Sequence, residues 1–451
     1  MNRAIFREYD IRGEAERDLT DDMARNIGRA FGSRLASKGK NNITLGRDCR
    51  LSSDRLRDAV LQGLLDAGMR VIDIGVVPTP VLYFSLYQWN TDGGVMITGS
   101  HNPPQYNGFK LCDGKESLHG PEIQEVAGII EKKKFEAGQG SVSIRNPLPE
   151  YKAMLLEKFK LPRSVRVVID CGNGTSSVVA AEIIERLGCQ VTPLFCEMDG
   201  HFPNHHPDPT IESNLQDLVR RVMRDKPEVG IAFDGDADRI GAIDDQGKVL
   251  WGDQLLILYS RDILKKQPGA TIISEVKCSQ NLFDDIAKHG GRAIMWKAGH
   301  SLIKAKMKEE HAAAAGEMSG HMFFADRYYG YDDAIYAACR LLEILAQSDQ
   351  PLSAMLSDVP KTYTTPEIRV DTDESKKFKI VEEATRYFSE HYKTITVDGV
   401  RILFEDAAWG LIRASNTQPV LVLRFEAKEQ KQLNEIRKLV EGKLAEISAS
   451  V

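Results

Sequence analysis

Three aspartates at alternate positions, Asp234, Asp236 and Asp238, stand in the run DGDADR directly after the apolar stretch VGIAF. Three carboxylates this close cannot all stay ionised unless a cation compensates them. A hard divalent ion held by oxygen ligands answers that need, and magnesium beside a phosphate is the better fit. The spacing also resembles an EF-hand loop, but Arg239 occupies the place of the required glycine and Asp245 that of the terminal glutamate. A strand rather than a helix precedes it, so the EF-hand reading fails. A solvated acidic turn is the plainer alternative.

The second candidate is Thr98-Gly99-Ser100-His101-Asn102-Pro103, after the apolar stretch VMI. A serine at the carboxyl end of such a strand lies where open α/β sheets present ligands. His101 beside it can orient or deprotonate the hydroxyl, or bind an anion. Lys110, ending YNGFK, brings a cation or a proton-transfer amine to the same loop. A third loop, Gly316-Glu317-Met318-Ser319-Gly320-His321, offers acceptors for sugar hydroxyls at Glu317 and Ser319, with His321 for an anion or a proton. A fourth, Arg413-Ala414-Ser415-Asn416-Thr417, combines a guanidinium, two hydroxyls, an amide and loop N–H groups, the makings of a phosphate cradle. Tyr9 and Arg12 in YDIRG, and Lys297-Ala298-Gly299-His300-Ser301, are smaller candidates.

Composition narrows the chemistry. Lys+Arg 59 against Asp+Glu 65 gives a net charge of −6, which argues against a nucleic-acid partner. Seven scattered cysteines with no C-x-x-C suggest neither a zinc framework nor a disulfide scaffold, and a reducing compartment. The charged start MNRAIFREYDIRG lacks the apolar core of a signal peptide, and no apolar run approaches the ~20 residues of a membrane span. A cytoplasmic protein with no membrane partner is expected. Neither G-x-x-x-x-G-K-[ST], H-E-x-x-H nor G-x-S-x-G occurs, and CGNG after VRVVID is only half a dinucleotide fingerprint.

The elements that must position these loops repeat. NITLGRD, a helix from about Ser53 to Ala67, Gly68 and MRVIDIG form one unit. VRVVIDCGNG, a helix from about Thr175 to Leu187, Gly188 and CQVTPLF form a second. ATIISEV, a helix from about Ser279 to His289, Gly290 and GRAIMWK form a third. Each glycine sits where a left-handed helix cap is wanted. Strands alternating with helices imply βαβ units and a largely parallel sheet. Proline- and glycine-rich stretches place boundaries that give domains 1–148, 149–251, 252–365 and 366–451. The last reads differently: a helix from Glu374 to Phe388, a hairpin around Asp398-Gly399, strands WGLIRAS and VLVLRFEA, and a closing helix from about Glu429 to Glu446. The expected fold is therefore three similar mixed α/β domains and a smaller C-terminal α+β domain.

In this order the motifs resemble the α-D-phosphohexomutase family, most of all its bacterial bifunctional phosphomannomutase/phosphoglucomutase type. The resemblance runs from FREYDIRG through TGSHNPPQYNGFK, DGDADR, WKAGHSLIKAKMKE and GEMSGHMFF to RASNTQPVLVLRFEA. It implies four domains around a central cleft, and phosphoryl transfer between C1 and C6 of mannose and glucose phosphates through a hexose 1,6-bisphosphate. Ser100 would be the phosphoserine, and Asp234, Asp236 and Asp238 with its phosphate would hold Mg²⁺. His101 and Lys110 would serve proton transfer and charge stabilisation. Arg239, Lys277 and His300 would line the cleft, and Glu317 and Ser319 would read the sugar, with His321 nearby. Arg413, Ser415, Asn416 and Thr417 would grip the non-reacting phosphate, and Tyr9 with Arg12 would close the site. Glucose 1,6-bisphosphate is the implied activator, hexose phosphates the partners, and a monomer the expected state. Gly99, standing where alanine is common in the family, is expected to loosen the serine loop, and Ala298 replaces a frequent threonine. Phosphoglucosamine mutase, whose sugar loop usually has Gln at the place of Met318, is the nearest alternative. A sugar-phosphate-binding protein without turnover and a phosphatase stand further off.

Overall fold

The computed structural model describes every residue except Thr417. Its first three sheets repeat one plan. A central strand pairs in parallel with a neighbour on each side, and one of those neighbours is followed by an antiparallel strand. In the first sheet the centre is Asn42–Arg47, flanked by Arg70–Val76 and Gly93–Ile97, with Tyr106–Asp113 antiparallel beyond. In the second it is Arg166–Asp170, flanked by Gln190–Leu194 and Val229–Phe233, then Ile240–Asp244. In the third it is Thr271–Glu275, flanked by Arg292–Trp296 and Ala314–Gly316, then Met322–Phe324. The central strands are buried over most of their length because helices cover both faces.

The expected repeat units appear with their caps. Gly68, Gly188 and Gly290 have φ of 79°, 92° and 79°, the left-handed region in which a side chain is strained. The first and third helices run Ser53–Asp66 and Gln280–Lys288. The second departs from expectation. It is split into a 3-10 turn, Thr175–Val178, and a short helix, Ala180–Arg186, broken at Val179 with φ −143°. Two consecutive β-branched valines after paired serines make that a weak place for continuous helix.

The helix Thr79–Gln88 is apolar all round and buried along most of its length, packing into one core with residues of the second and third sheets. The C-terminal sheet is antiparallel, ordered Tyr363–Thr364, Val420–Ala427, Trp409–Ala414, Val400–Leu403, Lys393–Ile395, with Ile368–Asp371 also paired to Val420–Ala427. The helices Lys377–His391 and Gln430–Ser450 cover it. Tyr363–Thr364 falls in a stretch that reads as a proline-rich linker; backbone pairing to an edge makes it a strand despite its exposed side chains. This sheet is fixed to the third domain by Arg401, fully buried, which donates to the carbonyls of Val276 and Cys278 at 2.8 Å each. No helix among the described residues is long and apolar enough to cross a membrane.

Candidate active site

The repeated plan explains why three motifs meet. Residues 98–105, 234–239 and 317–321 each join a parallel strand to its antiparallel successor. Three equivalent loops thus leave three equivalent strand ends, where α/β sheets present ligands.

Ser100 sits on the first of them, buried, with φ of 47°. A non-glycine residue in that region is strained, which requires the surroundings to hold it. Thr98 Oγ1 accepts from its N–H at 2.8 Å. Arg50 does more. Its guanidinium donates to the carbonyls of Ser100, Asn102, Pro103 and Tyr106 at 2.5–3.0 Å, and pairs with Asp48 at 3.2 Å. A Cβ on Gly99 would stand 2.5 Å from that guanidinium. The glycine therefore admits the clamp, and the loop is tied down where a loosened one was expected.

Ser100 Oγ donates to Asp234 Oδ2 at 2.8 Å. Asp234, Asp236 and Asp238 are fully buried, with one ligand oxygen from each lying within 4.8 Å of the others. Lys110 Nζ donates to Asp236 Oδ2 at 2.9 Å and also to Asp238 Oδ2. Thr79, opening its buried helix, donates to Asp236 Oδ2 at 2.5 Å. Burial, then the two neighbouring aspartates, push the Asp234 carboxyl well above its ordinary range. Burial would do the same to Asp236, but the Lys110 ammonium outweighs it and holds that carboxyl low. Lys110 in turn stays charged, since the pull of Asp236 and Asp238 exceeds the cost of burying it. Oδ1 of both Asp236 and Asp238 is buried without a hydrogen-bond partner among the described residues. Orphaned hard oxygens beside a crowded carboxylate set are what a divalent cation satisfies, so these residues fit magnesium.

His101 Nδ1 lies 2.8 Å from Asp208 Oδ2. Burial, with Arg239 adding to it, pushes this imidazole below its ordinary range against the pull of Asp208. A neutral ring donating from Nδ1 leaves Nε2 as an acceptor. Arg12 donates to Asn102 Oδ1 at 2.9 Å and to Asp10 at 2.5 Å, so it braces the serine loop from the strand Ile11–Glu14. Arg239 donates from Nε to His321 Nε2 at 2.9 Å. His300 stacks on His321 with centroids 5.4 Å apart, and burial, then Lys304, lower it well below the ordinary range.

The stretches 316–321 and 413–416 meet around Gly299. Its N–H donates to Glu317 Oε1 at 2.6 Å, and its φ is 128°. A Cβ there would lie 2.4 Å from the Tyr9 ring, so only glycine lets that ring in. Tyr9 donates to the carbonyl of Ala298 at 2.7 Å and accepts from Asn416 Nδ2 at 2.6 Å, joining the first, third and last domains. Asp398 accepts from the N–H of Ala298 at 3.1 Å and from Arg413 Nε at 2.9 Å. Ser415 Oγ accepts from the N–H of Gln418 at 3.1 Å. Lys277 pairs with Glu367 at 3.2 Å and Glu275 at 3.5 Å, which hold it above its ordinary range against burial. Ser319 is half-buried on the loop with Glu317, and Thr417 lies outside the described residues.

Sequence reasoning missed Arg50, Thr79, Asp208 and Asp398. None stands in a glycine-bracketed or charge-dense run. Arg50 reaches the serine loop from a distant stretch of the same domain, whereas Thr79, Asp208 and Asp398 reach the site across domains. The one available signal was Asp398 in the Asp-Gly turn, whose carboxylate points back at the RASNT loop.

Four family models cover the chain. Phosphoglucomutase/phosphomannomutase alpha/beta/alpha domains I, II and III match residues 3–137, 149–247 and 251–363, and the C-terminal domain matches 367–443. A phosphomannomutase/phosphoglucomutase of Pseudomonas aeruginosa PAO1 is 46% identical over 449 residues, 99% of this chain and 97% of that protein. A phosphoglucomutase of Neisseria gonorrhoeae is 46% identical over 442 residues, covering 97% and 96%. The crystal structure of a phosphoglucomutase/phosphomannomutase family protein from Burkholderia thailandensis superposes with a TM-score of 0.92 at 40% identity, covering 98% of each chain.

Proposed function

Because this chain belongs to the phosphoglucomutase/phosphomannomutase family, we propose that it moves a phosphoryl group between the C1 and C6 oxygens of mannose and glucose phosphates by way of Ser100. It is an enzyme of the phosphohexomutase type, an isomerase by overall reaction. One observation carries the role of Ser100: its hydroxyl, held on strained backbone, ends 2.8 Å from a buried aspartate triad countered by Lys110.

Phosphoryl transfer asks the protein for alignment and charge neutralisation more than for covalent chemistry. Arg50 and Thr98 fix the serine loop so that the oxygen carrying the phosphoryl group cannot wander. Lys110 and Arg239 supply positive charge beside it. A magnesium ion held by Asp234, Asp236, Asp238 and a phosphoryl oxygen on Ser100 would neutralise the transferring group. The proton of the attacking sugar hydroxyl has an acceptor in His101 Nε2, which is open because Asp208 holds Nδ1–H. Glu317 and Ser319 are the sugar-hydroxyl partners, with Lys277, His300 and His321 along the cleft. Arg413, Ser415, Asn416 and Thr417 form the cradle for the non-reacting phosphate. Tyr9 seals the cleft through Ala298 and Asn416, and Arg12 braces the serine loop. One fixed cradle serves both half-reactions if the 1,6-bisphosphate turns end for end, and free glucose 1,6-bisphosphate acts as activator. We place the enzyme in the cytoplasm as a monomer, in keeping with seven free thiols.

The test is mutase turnover with Mg²⁺ and a trace of glucose 1,6-bisphosphate, comparing glucose 1-phosphate, mannose 1-phosphate and glucosamine 1-phosphate. Comparable rates on the first two, absent in Ser100→Ala, are expected. Preference for the third would transfer the assignment to phosphoglucosamine mutase, and free phosphate as the main product would make the protein a phosphatase.

A further inference from the structure

In the sequence Asp398 marks only a hairpin turn, yet two domains meet on its carboxylate. Strand pairing explains how it gets there. Val400 is the register partner of Ile412 in the antiparallel pair Val400–Leu403 and Trp409–Ala414, so the turn before Val400 comes level with Arg413 and Ala414. The approach is close. Gly399 has φ of 73°, and a Cβ there would collide with the carbonyl oxygen of Ile412 and stand 2.8 Å from Arg413 Cα. Glycine at this turn lets Asp398 lie against the strand that carries Arg413.

Both of its contacts fall on one oxygen. Asp398 Oδ2 accepts from Arg413 Nε at 2.9 Å and from the N–H of Ala298 at 3.1 Å. Arg413 belongs to the C-terminal domain and Ala298 to the third. The carbonyl of the same Ala298 accepts from Tyr9, which accepts from Asn416. Both backbone polar groups of Ala298 are thus held by residues of other domains.

The Arg413 side chain is only 7% exposed. Burial would lower its guanidinium, but Asp398, first among its charged neighbours, helps to outweigh that and hold it above its ordinary range. A guanidinium carries five N–H donors in a planar fork. Only Nε–H is engaged here: the two terminal nitrogens have no hydrogen bond or ion pair with any described residue. Gripped at Nε, the group keeps the end that matches a phosphate with two parallel hydrogen bonds.

We propose that Asp398 is a positioning residue for substrate binding: its Oδ2 fixes Arg413 by Nε against the peptide of the neighbouring domain, so that both terminal nitrogens stand ready for the phosphate that is not transferred. The inference rests on Arg413 belonging to the phosphate cradle of the function proposed above. That phosphate is held alike before and during transfer, so the arrangement sets affinity rather than the rate of the chemical step.

The test compares KM and kcat on glucose 1-phosphate, with Mg²⁺ and glucose 1,6-bisphosphate, for Asp398→Ala and Asp398→Asn, each alone and in an Arg413→Ala background. Asp398→Ala should raise KM about ten- to a hundredfold, the range for losing a hydrogen bond to a charged group, with kcat changed far less. Asp398→Asn keeps an oxygen for Nε and loses only the charge, so its KM should rise less. In the Arg413→Ala background either substitution should cost no more than roughly twofold, since residues acting through one contact are not additive. An unchanged KM in Asp398→Ala, while Arg413→Ala raises it, overturns this proposal alone. So does a loss confined to kcat, Asp398→Asn costing as much as Asp398→Ala, or a full loss repeated in the Arg413→Ala background. If Asp398→Ala does not fold, Asp398→Asn decides: a rise in KM that vanishes without Arg413 supports the proposal, and no rise, or one that persists, overturns it. A normal KM in Arg413→Ala defeats the cradle reading and this proposal with it. Absence of mutase turnover in the native protein defeats the proposed function, and calorimetric binding of glucose 1,6-bisphosphate by the same variants then judges Asp398 in place of KM.

Discussion

Replacing Lys110 by methionine probes the balance of charge at the centre of the site. Methionine keeps a stem of similar bulk and removes only the ammonium. In the native chain that ammonium faces Asp236 and Asp238, with the lysine side chain 4% exposed and both carboxylates 0%. Removing one partner of a buried pair costs about 3–5 kcal/mol, because the other charge stays buried and uncompensated. For a chain of this size that is a fall of roughly three to five degrees in apparent melting temperature with the metal chelated. Magnesium acts in the opposite direction. Ammonium and dication compete for the same oxygens, and at ~5 Å with an effective dielectric of ~20 their repulsion is of order several kcal/mol. Relief of even about 1.4 kcal/mol of it is a tenfold gain in affinity. Lys110→Met should therefore bind Mg²⁺ at least about tenfold more tightly by calorimetry. Saturating Mg²⁺ should restore most of the lost melting temperature, since a ligand at a hundred times its Kd adds about 2.7 kcal/mol. Mutase turnover should not be restored, because the charge beside Ser100 is gone. Unchanged or weaker Mg²⁺ affinity, or an equal melting loss with and without Mg²⁺, would refute the reasoning that lysine and metal share the triad.

Two further outcomes follow from single contacts. Burial pushes the Asp333 carboxyl up to about 6, although Tyr151, Tyr328 and the N–H of Tyr336 all bond to it. A folded-state value above the unfolded one of ~3.9 means stability that is full below about pH 4 and lost as pH rises through about 6, up to roughly 3 kcal/mol in all. Urea midpoints of Asp333→Asn should gain on those of the native chain between pH 4 and pH 7, and parallel profiles would contradict this. Gly299→Ala puts a methyl 2.4 Å from the Tyr9 ring at a φ of 128°. It should raise KM for hexose phosphates about tenfold or more by breaking the Tyr9–Ala298 closure, while the first three sheets stay folded by circular dichroism; an unchanged KM would show that Tyr9 does not seal the cleft.

What was legible in the sequence was what is contiguous. The aspartate triad, the serine loop and the three cap glycines announce themselves because composition and spacing alone fix their local geometry. The repeated strand–helix–strand pattern gave the three-sheet plan for the same reason, period matched to element. Arg50, Thr79 and Asp208 carry no such mark. Arg50 matters because four carbonyls of a distant loop converge on it, and Thr79 because a buried helix carries it to Asp236. The first depends on tertiary packing within its domain and the second on packing between domains, and periodicity encodes neither. The supposed loosening at Gly99 failed similarly: a missing Cβ reads as freedom until the guanidinium filling its place is seen. The break at Val179 lay within reach of local rules, since β-branching and serine back-bonding weigh against helix there.

The central claim is that Ser100 itself carries the phosphoryl group. Its most direct test is tryptic mass spectrometry after incubation with isotopically labelled glucose 1,6-bisphosphate and Mg²⁺, followed by a chase with unlabelled glucose 1-phosphate. The account predicts label on Ser100 alone, leaving during the chase at the rate of mutase turnover, and no turnover in Ser100→Ala. Label on another residue, a phosphate on Ser100 that does not exchange, or full turnover in Ser100→Ala would contradict it.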